Sequence, residues 1–432
     1  MSIKKLCLLL MAVVLMLGAA SCAQPVSPVS PVSGDVLQSD KPRDTSPEVS
    51  QTDLDSLSGG NSEFAFDLYQ ALAAEDGNLF YSPYSISVAL AMTYAGARGE
   101  TEEQMADTLR FLLPQQDLHP AFNELDMELD RRGEGAAGKD GGEFRLNIVN
   151  AIWGQQDYSF LPEFLDVLAE NYGAGLRLLD YINQPEESRI VINDWVSDET
   201  EGRIEDLIPE GAIDSLTRLV LTNAVYFNAA WMYPFDEDAT RDGPFYLLDG
   251  GEIRVPMMTQ TESLGYAEGD GYQALELPYD GGELSMVVLL PDSGSFAEFE
   301  KSLDVGLVNG VIGDLVFQKV ALTMPKFEFD SSFGLVDTLA GMGMPIAFST
   351  AADFSGMTGN RELFIGDVVH KAFVSVDEAG TEAAAATAVI MELTAAPQPP
   401  LEVTVDRPFI FFIRDIETGT VLFAGRVMDP SV

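Results

Sequence analysis

Cysteine and histidine are scarce in this chain of 432 residues, which has two of each. Because Cys7 lies in an apolar N-terminal stretch that we expect to be removed, the mature protein can form neither an internal disulfide nor a thiolate metal site. His119 and His370 provide few partners for a Ser-His-Asp triad, and the Gly-x-Ser-x-Gly motif of serine hydrolases is missing. The sequence also lacks zinc-ligand spacing and recognisable phosphate-binding or calcium-binding loops. We therefore expect a protein that is not an enzyme and that uses neither a metal nor a cofactor.

Basic residues are scarce as well, since 24 lysines and arginines stand against 69 aspartates and glutamates, for a formal net charge of −45. Hydrophobic residues make up 46% of the chain, enough for a large core, so the negative charge belongs to the surface of a folded protein. Such a surface repels nucleic acids and anionic lipid headgroups, and it disfavours a heparin-like polyanion as a ligand. The simplest interpretation of the charge is solubility.

The N-terminus has the form of a secretory signal. Lys4 and Lys5 precede an apolar stretch from Leu6 to Leu17, which is shorter than the ~20 residues that a membrane span requires. The sequence from Ala19 to Cys22 is similar to a lipobox, whose cysteine becomes the lipidated first residue of the mature chain. We expect residues 1–21 to be a signal peptide and Cys22 to be lipidated, which would anchor the secreted protein at the cell surface or in the periplasm or outer membrane. Cleavage after Ala23 is the alternative, and it would discard the cysteine.

Residues 22–60 are expected to form a tether and not a domain. Pro-Val-Ser occurs three times between Pro25 and Ser33, and the polar run that follows ends in Gly59-Gly60. Because no second linker interrupts the remaining chain, the sequence predicts a single domain over residues 61–432.

Three helices are predicted at the start of this domain. Asn61-Ser62 is expected to cap an amphipathic helix, and Ser82 with Pro83 in the first helical position begins the next one. Thr101-Glu102-Glu103-Gln104 has the sequence of a capping box for the third.

Two strands are predicted farther along. Residues 147–153 have the composition of a strand, and the run from Leu219 to Phe227 is apolar except for Thr222 and Asn223. A continuous apolar run of this length is typical of a strand buried on both faces. A buried asparagine without a hydrogen bond costs about 1–3 kcal/mol, so Asn223 needs a partner.

The stretch from Val374 to Pro400 begins as the end of a predicted strand and continues with a different composition. His370, Ala372, Val374 and Val376 alternate with more polar positions, as in a strand whose apolar side holds a satisfied core histidine. After Gly380 the side chains become very small and lead into a proline-rich exit. From composition alone the stretch is an alanine-rich surface loop or a frayed helix. A sharper interpretation is a segment that can change from loop to strand, because small side chains at alternate positions would not obstruct insertion into a sheet.

These residues resemble a known family. Gly380–Val389 is similar to the hinge of the reactive-centre loop of the serpins, and Arg407–Ile413 is similar to the strand that follows that loop. Further similarity to serpin motifs covers residues 61–430 and includes Asn78–Met105, Val255–Met258, Tyr272–Tyr279, Met286–Pro291, Met324–Phe327, Asp353–Met357 and Gly419–Arg426. The resemblance implies an α+β serpin fold with about three β-sheets, a large central sheet, eight to nine helices and a mobile reactive-centre loop at about residues 378–402.

The resemblance also implies three groups of residues that control the loop. The hinge comprises Glu378, Gly380, Thr381, Glu382, Ala383, Ala384, Ala385, Ala386 and Thr387. The shutter beneath the middle of the main sheet comprises Ser82, Ser85, Asn223 and His370. The breach at the top of the sheet comprises Trp231, Lys326 and Glu378. None of these residues is expected to be catalytic.

The implied activity is suicide inhibition of extracellular serine proteases, with cysteine proteases as a second target class, by a monomer that contacts the membrane only through its N-terminal lipid. The inward hinge positions Thr381, Ala383 and Ala385 carry neither proline nor charge, which favours an inhibitor over a non-inhibitory surface lipoprotein with a binding or structural role. The family spacing places the scissile bond at Thr394-Ala395, with Leu393 and Met391 as alternative registers. Threonine before the bond suggests elastase-like or subtilisin-like targets, whereas leucine or methionine suggests chymotrypsin-like ones. The net charge would speed association with cationic proteases.

Overall fold

The computed structural model describes residues 35–138, 144–381 and 399–432. The chain divides into two compact units, residues 1–33 and 34–432, and the described residues belong to the second. The predicted signal peptide and Cys22 lie outside the described residues. Among the described residues, no helix is long and apolar enough to cross a bilayer.

The described part of the chain contains ten α-helices and two short 3₁₀ segments. The helices are α1 (Gln51–Leu72), α2 (Pro83–Tyr94), α3 (Gly99–Leu109), α4 (Gln115–Asp130), α5 (Pro162–Tyr172), α6 (Pro185–Glu199), α7 (Phe296–Ser302), α8 (Val305–Asp314), α9 (Val336–Met342) and α10 (Ser355–Thr358), with 3₁₀ segments at Glu237–Ala239 and Pro345–Phe348.

Sixteen strands accompany these helices. They are β1 (Asp35–Leu37), β2 (Leu79–Tyr81), β3 (Arg145–Gln155), β4 (Leu176–Leu179), β5 (Leu219–Ala230), β6 (Arg241–Tyr246), β7 (Glu252–Gly269), β8 (Tyr272–Pro278), β9 (Leu284–Pro291), β10 (Val316–Pro325), β11 (Phe327–Gly334), β12 (Asp367–Val376), β13 (Gly380–Thr381), β14 (Leu401–Thr404), β15 (Phe409–Asp415) and β16 (Val421–Val427).

Strands of the described residues form two hydrogen-bonded sheets. Sheet A has seven strands in the order β1-β4-β3-β5-β13-β12-β11, and sheet B has nine, with the path β14-β10-β7-β8-β9-β15-β16-β2 and β6 beside β7. The expected α+β fold with a large central sheet is confirmed. Two of the three sheets implied by the resemblance are continuous here, because the long strand β7 pairs with β6 and β10 along one part of its length and with β8 at its end.

Sheet A is covered on both faces, as the apolar run in β5 predicts. Every residue of β5 from Leu219 to Ala229 is buried. One face contributes to the main core, and the other packs under α6 through Trp153 and Val220 of the sheet and Ile192 and Val196 of the helix. Hydrophobic burial of this extent stabilises the fold without disulfides.

The predicted start of the folded domain at residue 61 is wrong, and so is the tether over residues 35–60. Helix α1 begins at Gln51, where the Ser50 side chain accepts a hydrogen bond from the Asp53 backbone N–H, and β1 forms the edge of sheet A. The Gly59-Gly60 pair suggested a break in the chain. Gly60 instead lies buried within the helix, and a side chain there would collide with the backbone carbonyl of Arg110. The glycine therefore permits a close approach and does not end the helix.

The capping box at Thr101 is also wrong, whereas the cap at Ser82 is confirmed. Ser82 Oγ accepts from the Ser85 N–H at 3.2 Å, at the start of α2. Helix α3 begins two residues before Thr101, and the Thr101 hydroxyl instead accepts from the Asp353 N–H at 2.8 Å. A tertiary contact therefore uses the group that the local pattern assigned to helix capping.

Removal of the first turns of α1 should destabilise the protein. A chain that begins at Asn61 lacks Leu54 and Leu57, which are buried, and the Ser50 cap. Each buried leucine contributes about 1.5–3 kcal/mol, so the free energy of unfolding should fall by about 3 kcal/mol or more relative to a chain that begins at Gly34. Urea unfolding followed by circular dichroism measures this difference, and equal midpoints for the two chains would contradict the new boundary.

Candidate functional site

The central feature of sheet A is the seam between β5 and β12. These strands pair in parallel from Val220 opposite Asp367 to Val225 opposite Ala372, and the direct pairing ends there. Above that point Gly380 and Thr381 lie between the two strands as β13, antiparallel to both. Gly380 and Thr381, two residues of the predicted hinge, therefore already form part of sheet A.

Gly380 fits this place because it has no side chain. A Cβ atom at this position would collide with the Ala229 carbonyl oxygen and would lie 2.7 Å from the Ala230 Cα. The next residue, Thr381, is buried and its hydroxyl lies 2.9 Å from the Tyr279 hydroxyl. Thr381 thus points to the core face of sheet A, where Tyr279 lies.

Trp231 holds the chain immediately before Gly380. Its ring stacks on Tyr279 with 4.7 Å between centroids, and its indole N–H donates to the Asp377 carbonyl at 2.9 Å. The backbone N–H of Trp231 donates to the Ala379 carbonyl at 2.9 Å. Trp231 thereby fixes the turn from β12 into β13, because its two N–H groups bond to the backbone of the turn while its ring packs on Tyr279.

Glu378 is bound by two partners in the same turn. Its carboxylate forms a 2.7 Å ion pair with Lys326 and accepts from the Thr240 hydroxyl at 2.6 Å. Burial alone raises the pKa of this carboxyl, but the hydrogen bonds from Lys326 and Thr240 outweigh it and hold the pKa below its usual value. A cavity of about 410 Å³ opens beside these three side chains. Trp231, Lys326 and Glu378, predicted as one group, thus lie around one turn.

The four predicted shutter residues lie in contact below the seam, and the structure adds Asn150 to them. His370, Asn223 and Asn150 lie directly opposite one another on β12, β5 and β3. The Ser82 N–H donates to His370 Nε2 at 3.2 Å, and His370 Nδ1 bonds to Asn223 Oδ1. The Asn223 amide then donates to Ser85 Oγ and to Asn150 Oδ1. His370, Ser85 and Asn150 therefore supply the hydrogen bonds that the buried Asn223 requires.

A backbone donor fixes the direction of this network. Because the Ser82 N–H can only donate, His370 Nε2 carries no proton and Nδ1 must be the donor to Asn223. Burial lowers the pKa of His370 to about 3, so the ring is neutral at physiological pH. Ser82 is itself held by a 2.7 Å bond from its hydroxyl to the Leu422 carbonyl. The histidine is a core residue that links two strands, and its contacts give it no catalytic partner.

Asn150, Tyr279 and Thr240 were missed by the sequence analysis. Asn150 offered one signal, because it is a polar residue within a predicted strand, like Asn223. Two asparagines on adjacent strands can satisfy each other when they lie side by side. Tyr279 and Thr240 gave no such signal, because their partners Thr381 and Glu378 are more than a hundred residues away in the chain.

Most of the predicted hinge and the scissile bond lie outside the described residues. These are Glu382, Ala383, Ala384, Ala385, Ala386, Thr387, Met391, Leu393, Thr394 and Ala395. The described chain resumes at Pro399 and enters sheet B as β14, parallel to β10 with Leu401 opposite Val320. Within residues 35–138, 144–381 and 399–432, no group of His, Cys, Asp or Glu could hold a metal ion.

Replacement of His370 by Gln should flatten the dependence of stability on pH. Since the folded pKa is about 3 and the usual value is 6.5, the unfolded chain binds one more proton between those pH values. Unfolding free energy therefore rises with pH in this window, and acidification destabilises the wild type by about 1.4 kcal/mol per pH unit for this group.

Urea midpoints at several pH values between 6.5 and 4 should show a slope that is smaller by about one proton in His370→Gln. His119→Gln is the matched comparison, because the pKa of His119 is also lowered to about 3, by burial and then by Arg98. If the wild type and His370→Gln give parallel curves, His370 does not titrate as described.

Comparison with known proteins identifies the family of this chain. The family model described as serpin (serine protease inhibitor) matches residues 59–430. A serpin-like protein of Thermococcus kodakarensis is 44% identical over 371 residues, which is 85% of this chain and 84% of that protein. The leukocyte elastase inhibitor of Sus scrofa is 41% identical over 388 residues, which is 87% of this chain and 100% of that protein.

Solved structures give the same result. The native state of the thermophilic serpin tengpin superposes with a TM-score of 0.80 at 28% identity and covers 92% of this chain and 100% of tengpin. Uncleaved ovalbumin superposes with a TM-score of 0.77 at 27% identity and covers 87% of this chain and 100% of ovalbumin. The chain is therefore a member of the serpin family, which is described as a family of serine protease inhibitors and not of enzymes.

Proposed function

We propose that this serpin inhibits serine proteases outside the cell by a single-use trapping reaction. The observation that carries the proposal is the position of Gly380 and Thr381, which pair as a strand between β5 and β12. A loop whose first residues occupy the seam needs only to continue along it in order to add a full strand to sheet A. The same strand addition underlies the loop insertion of other serpins.

The chemistry would proceed through an ordinary acyl-enzyme. The protease serine oxygen attacks the carbonyl carbon of the residue before the scissile bond, and the C–N bond breaks as the new amine takes a proton. The loop, now cut but bonded as an ester, inserts into sheet A and carries the protease with it. The ester persists because displacement of the protease distorts its oxyanion site. Insertion must be faster than hydrolysis of the ester for trapping to succeed.

The register of β13 specifies how the rest of the hinge would enter. Thr381 lies opposite Val376 on β12 and Ala229 on β5, so extension of the strand places Ala383 between Val374 and Phe227. Insertion in the same register would bring Thr387 between His370 and Asn223, which lie opposite each other. An inserted threonine hydroxyl there could exchange hydrogen bonds with both residues as the seam opens. The shutter network would thus keep polar partners in both states of the sheet.

Similarity to leukocyte elastase inhibitors supports elastase-like proteases among the targets. We further propose that Cys22 carries the lipid that holds the protein at a membrane, with the folded unit beginning at Gly34. A non-inhibitory serpin with a binding or structural role is the alternative, and the next experiment distinguishes the two.

The folded unit from Gly34 to Val432 should form a complex with elastase that survives denaturing electrophoresis. The released peptide should begin at Ala395, as mass spectrometry would show. A peptide beginning at Glu392 or Thr394 would move the scissile bond to Met391 or Leu393. Clean cleavage without a covalent band, without loss of protease activity and without a rise in thermal stability would establish the non-inhibitory alternative.

Two neighbouring hinge variants test the direction of insertion. Ala383→Glu would place a carboxylate against the buried side chains of Val374 and Phe227, which costs several kcal/mol. Ala384→Glu would place the same group on the other face, beside Tyr226 and the guanidinium of Arg203, which lies 5.8 Å from that ring.

We expect Ala383→Glu to be cleaved as a substrate, with a yield of covalent complex lower by about tenfold or more, since 1.4 kcal/mol already changes a rate tenfold. Ala384→Glu should trap elastase at close to the wild-type yield. Equal yields for the two variants, measured by densitometry and titration of residual elastase activity, would refute the proposed register.

A further inference from the structure

Two arginines lie over the face of sheet A that α6 covers, at the end of the seam where Gly380 and Thr381 lie. The guanidinium of Arg145 on β3 lies 5.7 Å from the centre of the Tyr226 ring, and the guanidinium of Arg203 lies 5.8 Å from the same ring. Tyr226 is a buried residue of β5. In a chain with 24 basic and 69 acidic residues, two cations over one ring depart from the charge of the molecule as a whole.

Arg203 is positioned by the end of α6. Its backbone N–H donates to the Thr200 carbonyl at 2.9 Å. The buried Thr200 hydroxyl donates to the Val196 carbonyl at 2.7 Å and accepts from the Ile204 N–H at 3.1 Å. The backbone at Arg203 is therefore held to the helix, while its side chain is exposed to solvent.

The register of β13 brings the next residue of the hinge toward Arg145. Thr381 lies opposite Ala229 on β5, so a residue that extends β13 by one position would lie opposite Asn228. Arg145 lies opposite Asn228 from the other side of β5. Successive side chains of a strand point to opposite faces, so this residue would point away from the core face and toward Arg145. The residue is Glu382, whose charge is opposite to that of the arginine.

Both arginines would be within reach of the Glu382 carboxylate. Neighbouring strands lie about 4.8 Å apart, so the backbone of position 382 would lie about 10 Å from that of Arg145, and two long side chains can span this distance. Tyr226 would be the diagonal neighbour of position 382 on β5, and such neighbours are within reach of long side chains. Because both guanidinium groups lie over the Tyr226 ring, Arg203 would be as accessible to the carboxylate as Arg145.

Two further carboxylates lie near the same row of residues. Glu201 lies 4.0 Å from Arg145, and both side chains are partly exposed, so this pair is a weak one. Glu328 on β11 accepts from the Ser375 hydroxyl at 2.9 Å, and Ser375 is the residue of β12 that would lie opposite position 382. A carboxylate at position 382 would therefore be repelled from the β11 side and attracted toward β3.

We propose that Arg145 and Arg203 form a receiving site for the Glu382 carboxylate, which draws the hinge into the seam in the first step of loop insertion. The inference rests on the proposed function, in which insertion must be faster than hydrolysis of the ester. Without this attraction the residue after Thr381 enters the seam more slowly, so more of the acyl-enzyme is hydrolysed and more of the inhibitor is released in cleaved form. The initial attack of the protease on the loop is unchanged.

The test compares the full chain with Glu382→Gln and Arg203→Gln. Each protein is mixed with elastase, and the trapped and the cleaved fractions are measured by denaturing electrophoresis, together with the initial rate of loop cleavage. The fraction released in cleaved form should rise about two- to fivefold in each variant, while the initial rate stays at the wild-type value. Arg254→Gln, which removes an exposed arginine from β7 of sheet B, is the matched control and should behave as the wild type.

Further variants show whether the two charges act on each other. Glu382→Gln/Arg203→Gln should release less cleaved inhibitor than the sum of the two single effects predicts. Arg203→Lys keeps the charge and should trap at close to the wild-type yield. Glu382→Lys/Arg203→Glu restores a pair of opposite polarity and should trap better than Glu382→Lys. About 1 M salt, which shortens the screening length to about 3 Å, should raise the cleaved fraction of the wild type and not that of Glu382→Gln.

The outcomes separate this inference from the proposed function. A wild type that traps elastase while Glu382→Gln and Arg203→Gln release the wild-type cleaved fraction overturns the receiving site alone, and so do additive effects in the double variant. If the wild type is cleaved without trapping but gains thermal stability, the proposed function fails. The receiving site then requires a smaller gain in Arg203→Gln than in Arg254→Gln, and equal gains overturn it. Cleavage with neither trapping nor a gain in stability overturns both proposals.

Discussion

The backbone hydrogen bonding between β5 and β12 is the interaction on which the rest of the structure depends. Backbone donors and acceptors of a buried sheet must be paired, because an unpaired buried group costs free energy comparable to a lost hydrogen bond. In this protein the direct pairing stops at Val225 and Ala372, and Gly380 and Thr381 supply partners above. The seam is thereby a stable part of the sheet, and under the proposed function it is also where a further strand would enter.

The polar residues beneath the seam follow from the same constraint. His370, Asn223 and Asn150 lie in a row across three strands, and the Ser82 N–H fixes the order of donors and acceptors. An apolar row would pack equally well, but it would offer nothing to a strand that separates β12 from β5. A neutral histidine and two amides can exchange partners within the core, provided that all of their groups are satisfied in each state.

The few basic residues are used where carboxylates are buried. Arg132 pairs with Asp415 at 2.6 Å, Arg414 with Glu276 at 2.9 Å and Arg426 with Glu300 at 2.7 Å, and these side chains are at most 14% exposed. Removal of one member of a buried pair costs about 3–5 kcal/mol, because the other charge is left without compensation. In a chain with a net charge of −45, the cations at Lys41, Arg43 and Lys326 are among those that link separate elements by surface or half-buried ion pairs. Each of these few cations therefore pairs with particular carboxylates of another element.

The sequence by itself determined the fold class, the buried strand from Leu219, the cap at Ser82 and the grouping of Ser82, Ser85, Asn223 and His370. The buried strand and the cap rest on the pattern of apolar residues and on local hydrogen bonding. The fold class and the grouping of the four residues rest on the resemblance of the motifs to those of the serpins. The tertiary structure alone decided that Gly60 lies inside a helix, that Thr101 bonds to Asp353 and that residues 35–44 bind α4 and α5. It also added Asn150, Tyr279 and Thr240 to the site and placed Gly380 within the sheet. Each of these features depends on a contact between segments far apart in the chain. The structural role of a glycine, a hydroxyl or a lysine is set there by the atoms that pack against it in the folded protein.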